Sequence, residues 1–136
     1  EINGRGILRS NRGEHYEGDF KDGRFEGQGT YTATDSSVFS GMFVDGALNG
    51  HGTATYATGD RYVGGFKDDL RDGKGMAVFT NGDRYDGEFK EGNFHGKGRF
   101  TSGESGEVVE GIWEDGEYVS DAPKSKQENK HKQHAA

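Results

Sequence analysis

Residues 16–31 read YEGDFKDGRFEGQGTY. Tyr16, Gly18 and Phe20 alternate with Glu17, Asp19 and Lys21, so one face is apolar and the other charged. That period of two is the pattern of a half-buried strand. Asp22-Gly23 follows, a dipeptide suited to a two-residue hairpin turn because glycine accepts positive φ. Beyond it Gly23, Phe25, Gly27, Gly29 and Tyr31 share one parity, and Arg24, Glu26, Gln28 and Thr30 take the other. The stretch is a β-hairpin whose second strand is rich in glycine.

The hairpin recurs. FSGMFVDGALNGHGTA begins at Phe39, YVGGFKDDLRDGKGMA at Tyr62 and YDGEFKEGNFHGKGRF at Tyr85, each 23 residues after the last. The register holds at Gly18, Gly41, Gly64 and Gly87, and at Phe20, Phe43, Phe66 and Phe89. It holds again at the Gly-x-Gly pairs Gly4/Gly6, Gly27/Gly29, Gly50/Gly52, Gly73/Gly75 and Gly96/Gly98. A short fixed period is the mark of a repeat architecture. A lone hairpin is marginal in water, but hairpins in tandem can pair edge to edge. The fold expected is all-β: an elongated, single-layer antiparallel sheet. Five units of two strands at about 4.8 Å spacing make it roughly 48 Å long. Helix is excluded from the repeats, since glycine costs about 1 kcal/mol relative to alanine in a helix. On the apolar face each glycine leaves a gap over which a ring can lie flat on bare backbone. A ribbon of rings, each burying about 150–250 Å², would then replace a thick core.

Composition agrees with a thin structure. Only 29% of the 136 residues are hydrophobic, whereas 25 are glycine. There is no cysteine, which removes disulfides and thiolate metal sites and suits an intracellular, cytoplasmic setting. No apolar run nears the roughly 20 residues of a membrane span, and no signal peptide is visible. The chain opens at Glu1 without methionine, which leaves open that it is a piece of a longer protein. Of the formal charge of −7, the segment from Asp121 onward contributes +2, leaving −9 for residues 1–120. A body of that sign excludes general nucleic-acid binding and disfavours attraction to anionic lipid.

These residues resemble the MORN repeat, approximately Tyr-x-Gly-x-Trp/Phe-x-x-Gly-x-x-x-Gly-x-Gly. The matching positions are Tyr16, Gly18, Phe20, Gly23, Gly27 and Gly29; then Gly41, Phe43, Gly46, Gly50 and Gly52. They continue at Tyr62, Gly64, Phe66, Gly73 and Gly75, and at Tyr85, Gly87, Phe89, Gly92, Gly96 and Gly98. Partial units lie at Gly4 to Leu8 and at Gly111 to Gly116. Domain boundaries expected on this basis are a repeat sheet over 1–119 and a polar, disordered tail over 120–136. Phe39 replaces a leading tyrosine, Ser36 a turn glycine, and Val109 the last leading aromatic. Asp69 stands where a turn glycine is expected, so that turn should differ in type. One extra residue lies within Gly103 to Gly106 and should bulge its turn. No Gly-x-Gly pair follows Trp113, so the array should end on an edge strand near Gly111 to Glu114.

The resemblance implies a non-catalytic scaffold or adaptor binding protein partners. Such repeats occur in cytoskeletal assemblies, in the cilium, flagellum and axoneme, and in junctional proteins. They also occur beside enzyme domains, and phosphoinositide binding is proposed for them. A membrane adaptor and a regulatory region of a larger enzyme are therefore the alternatives. The candidate partner-binding residues are Tyr16, Phe20, Phe39, Phe43, Tyr62, Phe66, Tyr85, Phe89 and Trp113. They are also the expected core, because a one-layer sheet has no second layer to cover its apolar face. The sheet edges near Ile7-Leu8 and Ile112-Trp113 are candidate homodimer sites. His51 and His95 read as solvent-facing; they are 44 residues apart, out of register, with no ligand cluster around them. Asp19, Asp22, Asp45, Asp68 and Glu88 read as a solvated face or turn residues. No cofactor, metal or catalytic constellation is expected.

Overall fold

The computed structural model describes residues 3–121. Eleven strands run β1 Gly4–Arg9, β2 His15–Lys21, β3 Arg24–Thr32, β4 Val38–Val44, β5 Ala47–Thr55 and β6 Arg61–Lys67. They continue as β7 Leu70–Val78, β8 Arg84–Lys90, β9 Asn93–Thr101, β10 Val108–Glu114 and β11 Glu117–Ser120. All join one antiparallel sheet in sequence order, with no helix among the described residues.

The register explains the glycines. Gly6, Gly18, Gly29, Gly41, Gly52, Gly64, Gly75, Gly87, Gly98 and Gly111 are successive cross-strand partners. They form an unbroken trench of bare backbone across β1 to β10. Beside it runs a row containing Tyr16, Tyr31, Phe39, Ala54, Tyr62, Ala77, Tyr85 and Phe100. On the other side sit Phe20, Phe43, Phe66, Phe89 and Trp113. The tyrosine rings fold into the trench: a Cβ on Gly75 would lie 2.5 Å from Tyr62 Cε1 and Cζ. A register shift follows the trench glycine in β2, β4, β6 and β8. The Tyr16, Tyr62 and Tyr85 hydroxyls donate to the bulge carbonyls of Asp19, Gly65 and Glu88 at 2.8, 2.8 and 3.0 Å. Those three rings have no exposed surface.

Three expectations need correction. The array does not end at β10, because Glu117–Ser120 pairs with it as β11. Ile112-Trp113 is consequently interior and the second edge is β11, while Ile7-Leu8 on β1 is an edge as expected. The Asp68-Asp69 turn also keeps the conformation of its siblings. Both central residues have positive φ, 49° and 73°, like the 52° and 90° of Asp45 and Gly46. The flanking strand pairing dictates that geometry, and two hydrogen bonds hold it: Asp69 N–H donates to Leu48 O at 3.0 Å, and Leu48 N–H donates to Asp69 Oδ1 at 2.8 Å. The extra residue before β10 is absorbed in its turn, where Gly106 N–H reaches Ser102 O, four residues back rather than the three of Gly82 to Phe79. The expected tail loses Ser120 to β11, and its residues from 122 onward lie outside those described.

Candidate functional site

Eight of the nine candidate rings are buried: Tyr16, Phe20, Phe43, Tyr62, Phe66, Tyr85, Phe89 and Trp113. Phe39 alone is half-buried. Its lack of a hydroxyl accounts for this. Without a donor for the bulge carbonyl, the ring leaves the trench and lies near-parallel to Tyr31, centroids 6.4 Å apart, and edge-on to Tyr56. Leu48, 1% exposed, fills the vacated space beside Gly41.

What covers the buried rings is a second row from the following strand of each hairpin: Phe25, Leu48, Arg71, Phe94 and Tyr118. Their partners are Phe20, Phe43, Phe66, Phe89 and Trp113 in turn. Phe25 stacks on Tyr16 with centroids 3.8 Å apart, and Phe94 on Tyr85 at 3.9 Å. At the equivalent place over Tyr62 lies the Arg71 guanidinium, 5.8 Å from that centroid, 5.4 Å from Phe89 and 5.6 Å from Tyr56. Its Nη2 donates to Gly92 O at 2.5 Å. Phe25 through Phe94 recur at 23 residues, the signal that could have identified this row from sequence.

The face that remains open is therefore a ledge of half-buried rings standing on the core: Phe25, Tyr31, Phe39, Tyr56, Phe79, Phe94 and Phe100. No second layer covers it among the described residues. A recess in it, about 290 Å³, is lined by Leu8, Phe25, Tyr31, Phe39, Phe43 and Gly46, with Glu14 and Asp69. The Tyr31 hydroxyl donates to Glu14 Oε2 at 2.6 Å. Burial, and then that carboxylate, push the Tyr31 phenol up to about 12, while the Tyr31 hydrogen bond holds the Glu14 carboxyl below its ordinary value. Further acids stud the loops beside the ledge. Asp60 Oδ1 accepts from Thr80 N–H at 3.0 Å and Asp83 Oδ1 from Gly103 N–H at 2.9 Å, each loop holding the next.

The opposite face carries a shallow trough of about 580 Å³ in which Lys74, Arg84, Lys97 and Arg99 are interleaved with Asp86, Glu88 and Glu110. His51 is exposed and His95 half-buried, and among the described residues no three metal-ligating side chains converge. A scan against family models matches the MORN repeat at residues 16–38, 39–61, 62–84 and 85–106. A search of curated proteins gave no match.

Proposed function

The chain belongs to the MORN-repeat family, and from that premise we propose that it is a non-catalytic scaffold whose aromatic ledge receives segments of protein partners. MORN repeats are typically binding and scaffolding modules. The observation that carries the proposal is the ledge: seven half-buried rings packed on the core of one face, with no second layer over them among the described residues. A contiguous apolar surface of this kind is stabilised by a partner that removes it from water. The docking residues we propose are therefore Phe39, the one half-buried ring of the original series, with Tyr31, Tyr56, Phe79 and Phe100. The deeper rings hold these in place. We infer a cytoskeletal or axonemal assembly of the cytoplasm as the setting, a reading that rests on where such repeats occur. A phosphoinositide adaptor has less support, because three carboxylates interrupt the basic trough and would repel a phosphate.

The test is affinity capture with the chain beside a Phe39→Ala/Phe79→Ala version shown by circular dichroism to keep its sheet. A short set of proteins retained by the first and lost by the second is expected. An identical set from both would overturn the ledge as the docking surface.

A further inference from the structure

The recess at the β1–β4 end of the ledge is made by departures from the repeat. Where Asp69 stands, the other units have Gly46, Gly92 and Gly116; where Phe39 stands, they have Tyr16, Tyr62 and Tyr85. Tyr31 corresponds to Ala54, Ala77 and Phe100, and Glu14 to the shorter Ser37, Asp60 and Asp83 and to Glu107. Two departures from the repeat, Asp69 and Phe39, thus converge on one space with Tyr31 and Glu14. The chemistry they assemble is specific. Tyr31 and Phe39 line it with near-parallel rings, Leu8 and Phe25 add an apolar wall, and Glu14 and Asp69 two carboxylates. Asp69 holds φ +73° to be there, a conformation its siblings reach with glycine.

We infer that this recess seats a cationic side chain, an arginine or lysine, presented by a partner protein on its apolar stem; the inference rests on the scaffold reading above. The ring faces attract a cation and the wall takes the methylenes. The carboxylates end the site with charge-assisted hydrogen bonds. An all-apolar occupant would instead cover Asp69 without a counter-charge, which is costly. A second copy of the chain is opposed by the −9 of residues 1–120. The existing cation at the rim is Arg12, paired with Glu14 at 3.5 Å and itself 74% exposed, a screened contact that an incoming charge can displace. Among the described residues Asp69 makes no ion pair.

The experiment selects a random twelve-residue peptide library displayed on phage against the whole chain, then measures the enriched sequences as synthetic peptides by calorimetry. Peptides with an arginine or lysine beside an apolar residue are expected. Changing that basic residue to norleucine, or the chain by Asp69→Asn or Glu14→Gln, should weaken binding about tenfold or more. Asparagine at 69 tolerates positive φ and keeps the acceptor for Leu48, and glutamine at 14 keeps one for Tyr31, so both variants should fold. Asp115→Asn, in a distant turn, should change nothing. Enriched peptides without a basic position, or affinities indifferent to Asp69→Asn and Glu14→Gln, would overturn the cation seat and leave the scaffold standing. Failure to enrich any peptide would overturn both.

Discussion

Replacing Gly75 by alanine tests the packing idea on which the fold rests. The new Cβ would lie 2.5 Å from two carbons of the Tyr62 ring, so that ring must retreat by about 1 Å to reach ordinary contact. It has nowhere to go. Tyr62 is 0% exposed, with Phe66 edge-on at 5.2 Å and Phe89 at 4.9 Å. Its hydroxyl is tied to Gly65 O at 2.8 Å. Forcing a methyl into such packing costs about 1–3 kcal/mol, and breaking the hydroxyl's hydrogen bond adds about 1 kcal/mol. The expected loss is about 3 kcal/mol, which at roughly 4 °C per kcal/mol lowers the melting temperature by roughly 12 °C.

Gly73, two residues away on the same strand, supplies the internal control. A Cβ there meets nothing within 4 Å, but the residue has φ +86°. Alanine at 73 should suffer backbone strain alone, about 1 kcal/mol. Thermal melts followed by circular dichroism separate the two substitutions. A Tyr62→Leu background then identifies the cause, because with the ring gone Gly75→Ala should lose most of its cost, a coupling of about 2 kcal/mol. Equal melting temperatures for the two alanine variants, or an undiminished cost of Gly75→Ala without the Tyr62 ring, would refute the reasoning.

Gly64→Val should be worse than Gly75→Ala, since its Cβ meets the Lys74 carbonyl at 2.5 Å and must part β6 from β7; an unchanged melting temperature would remove the trench from the account. At position 69, asparagine should be neutral. Alanine should cost about 2 kcal/mol, from strain at positive φ and the lost acceptor for Leu48 N–H, and equal melts for the two would count against that cap. Burial pushes the phenols of Tyr31, Tyr62 and Tyr85 up to about 12, against about 10 in an unfolded chain. The folded state therefore binds protons that the unfolded state has released, so stability is full below about pH 10 and is lost as pH rises toward 12. Phenolate absorbance should rise together with loss of the sheet, and independent titration of these tyrosines near pH 10 in an intact sheet would contradict their burial.

The architecture was legible because its signals are local. Parity within residues 16–31 and a period of 23 suffice to order ten strands, each hairpin closing on its own neighbour. β11 carries no repeat signal, since Glu117–Ser120 has neither a trench glycine nor a Gly-x-Gly pair, though Tyr118 pairs with Trp113 as Phe94 does with Phe89. At Asp69 residue preference alone predicts a different turn, but the strands on either side, whose pairing sets both φ values, override it. The site was harder to read for a reason of depth. Parity places Tyr16 and Phe20 on the apolar face, but not whether other rings lie over them. That depends on position 25 and its repeats, where phenylalanine, leucine and arginine occur and the period is hidden by changing chemistry.

This difference between rows bears on function. The trench from Gly18 to Gly111 cannot vary, because a Cβ at each of its glycines meets backbone or ring. The lid and ledge can vary, because they meet each other and water. Over Tyr16 and Tyr85 the lid is a stacked phenylalanine; over Tyr62 it is the Arg71 guanidinium, and in the second unit Leu48 sinks into the core while Phe39 comes out. Each unit thus stands on the same foundation and presents a different surface: a carboxylate-rimmed aromatic recess toward β1, a guanidinium in the middle and bare rings toward β9. A segment lying along the ledge would meet these in a fixed order about 10 Å apart per hairpin, from the strand spacing. Charge at the recess sets direction as well as affinity, since reversing the segment would carry its cation away to the bare rings toward β9 and leave Asp69 covered without a partner.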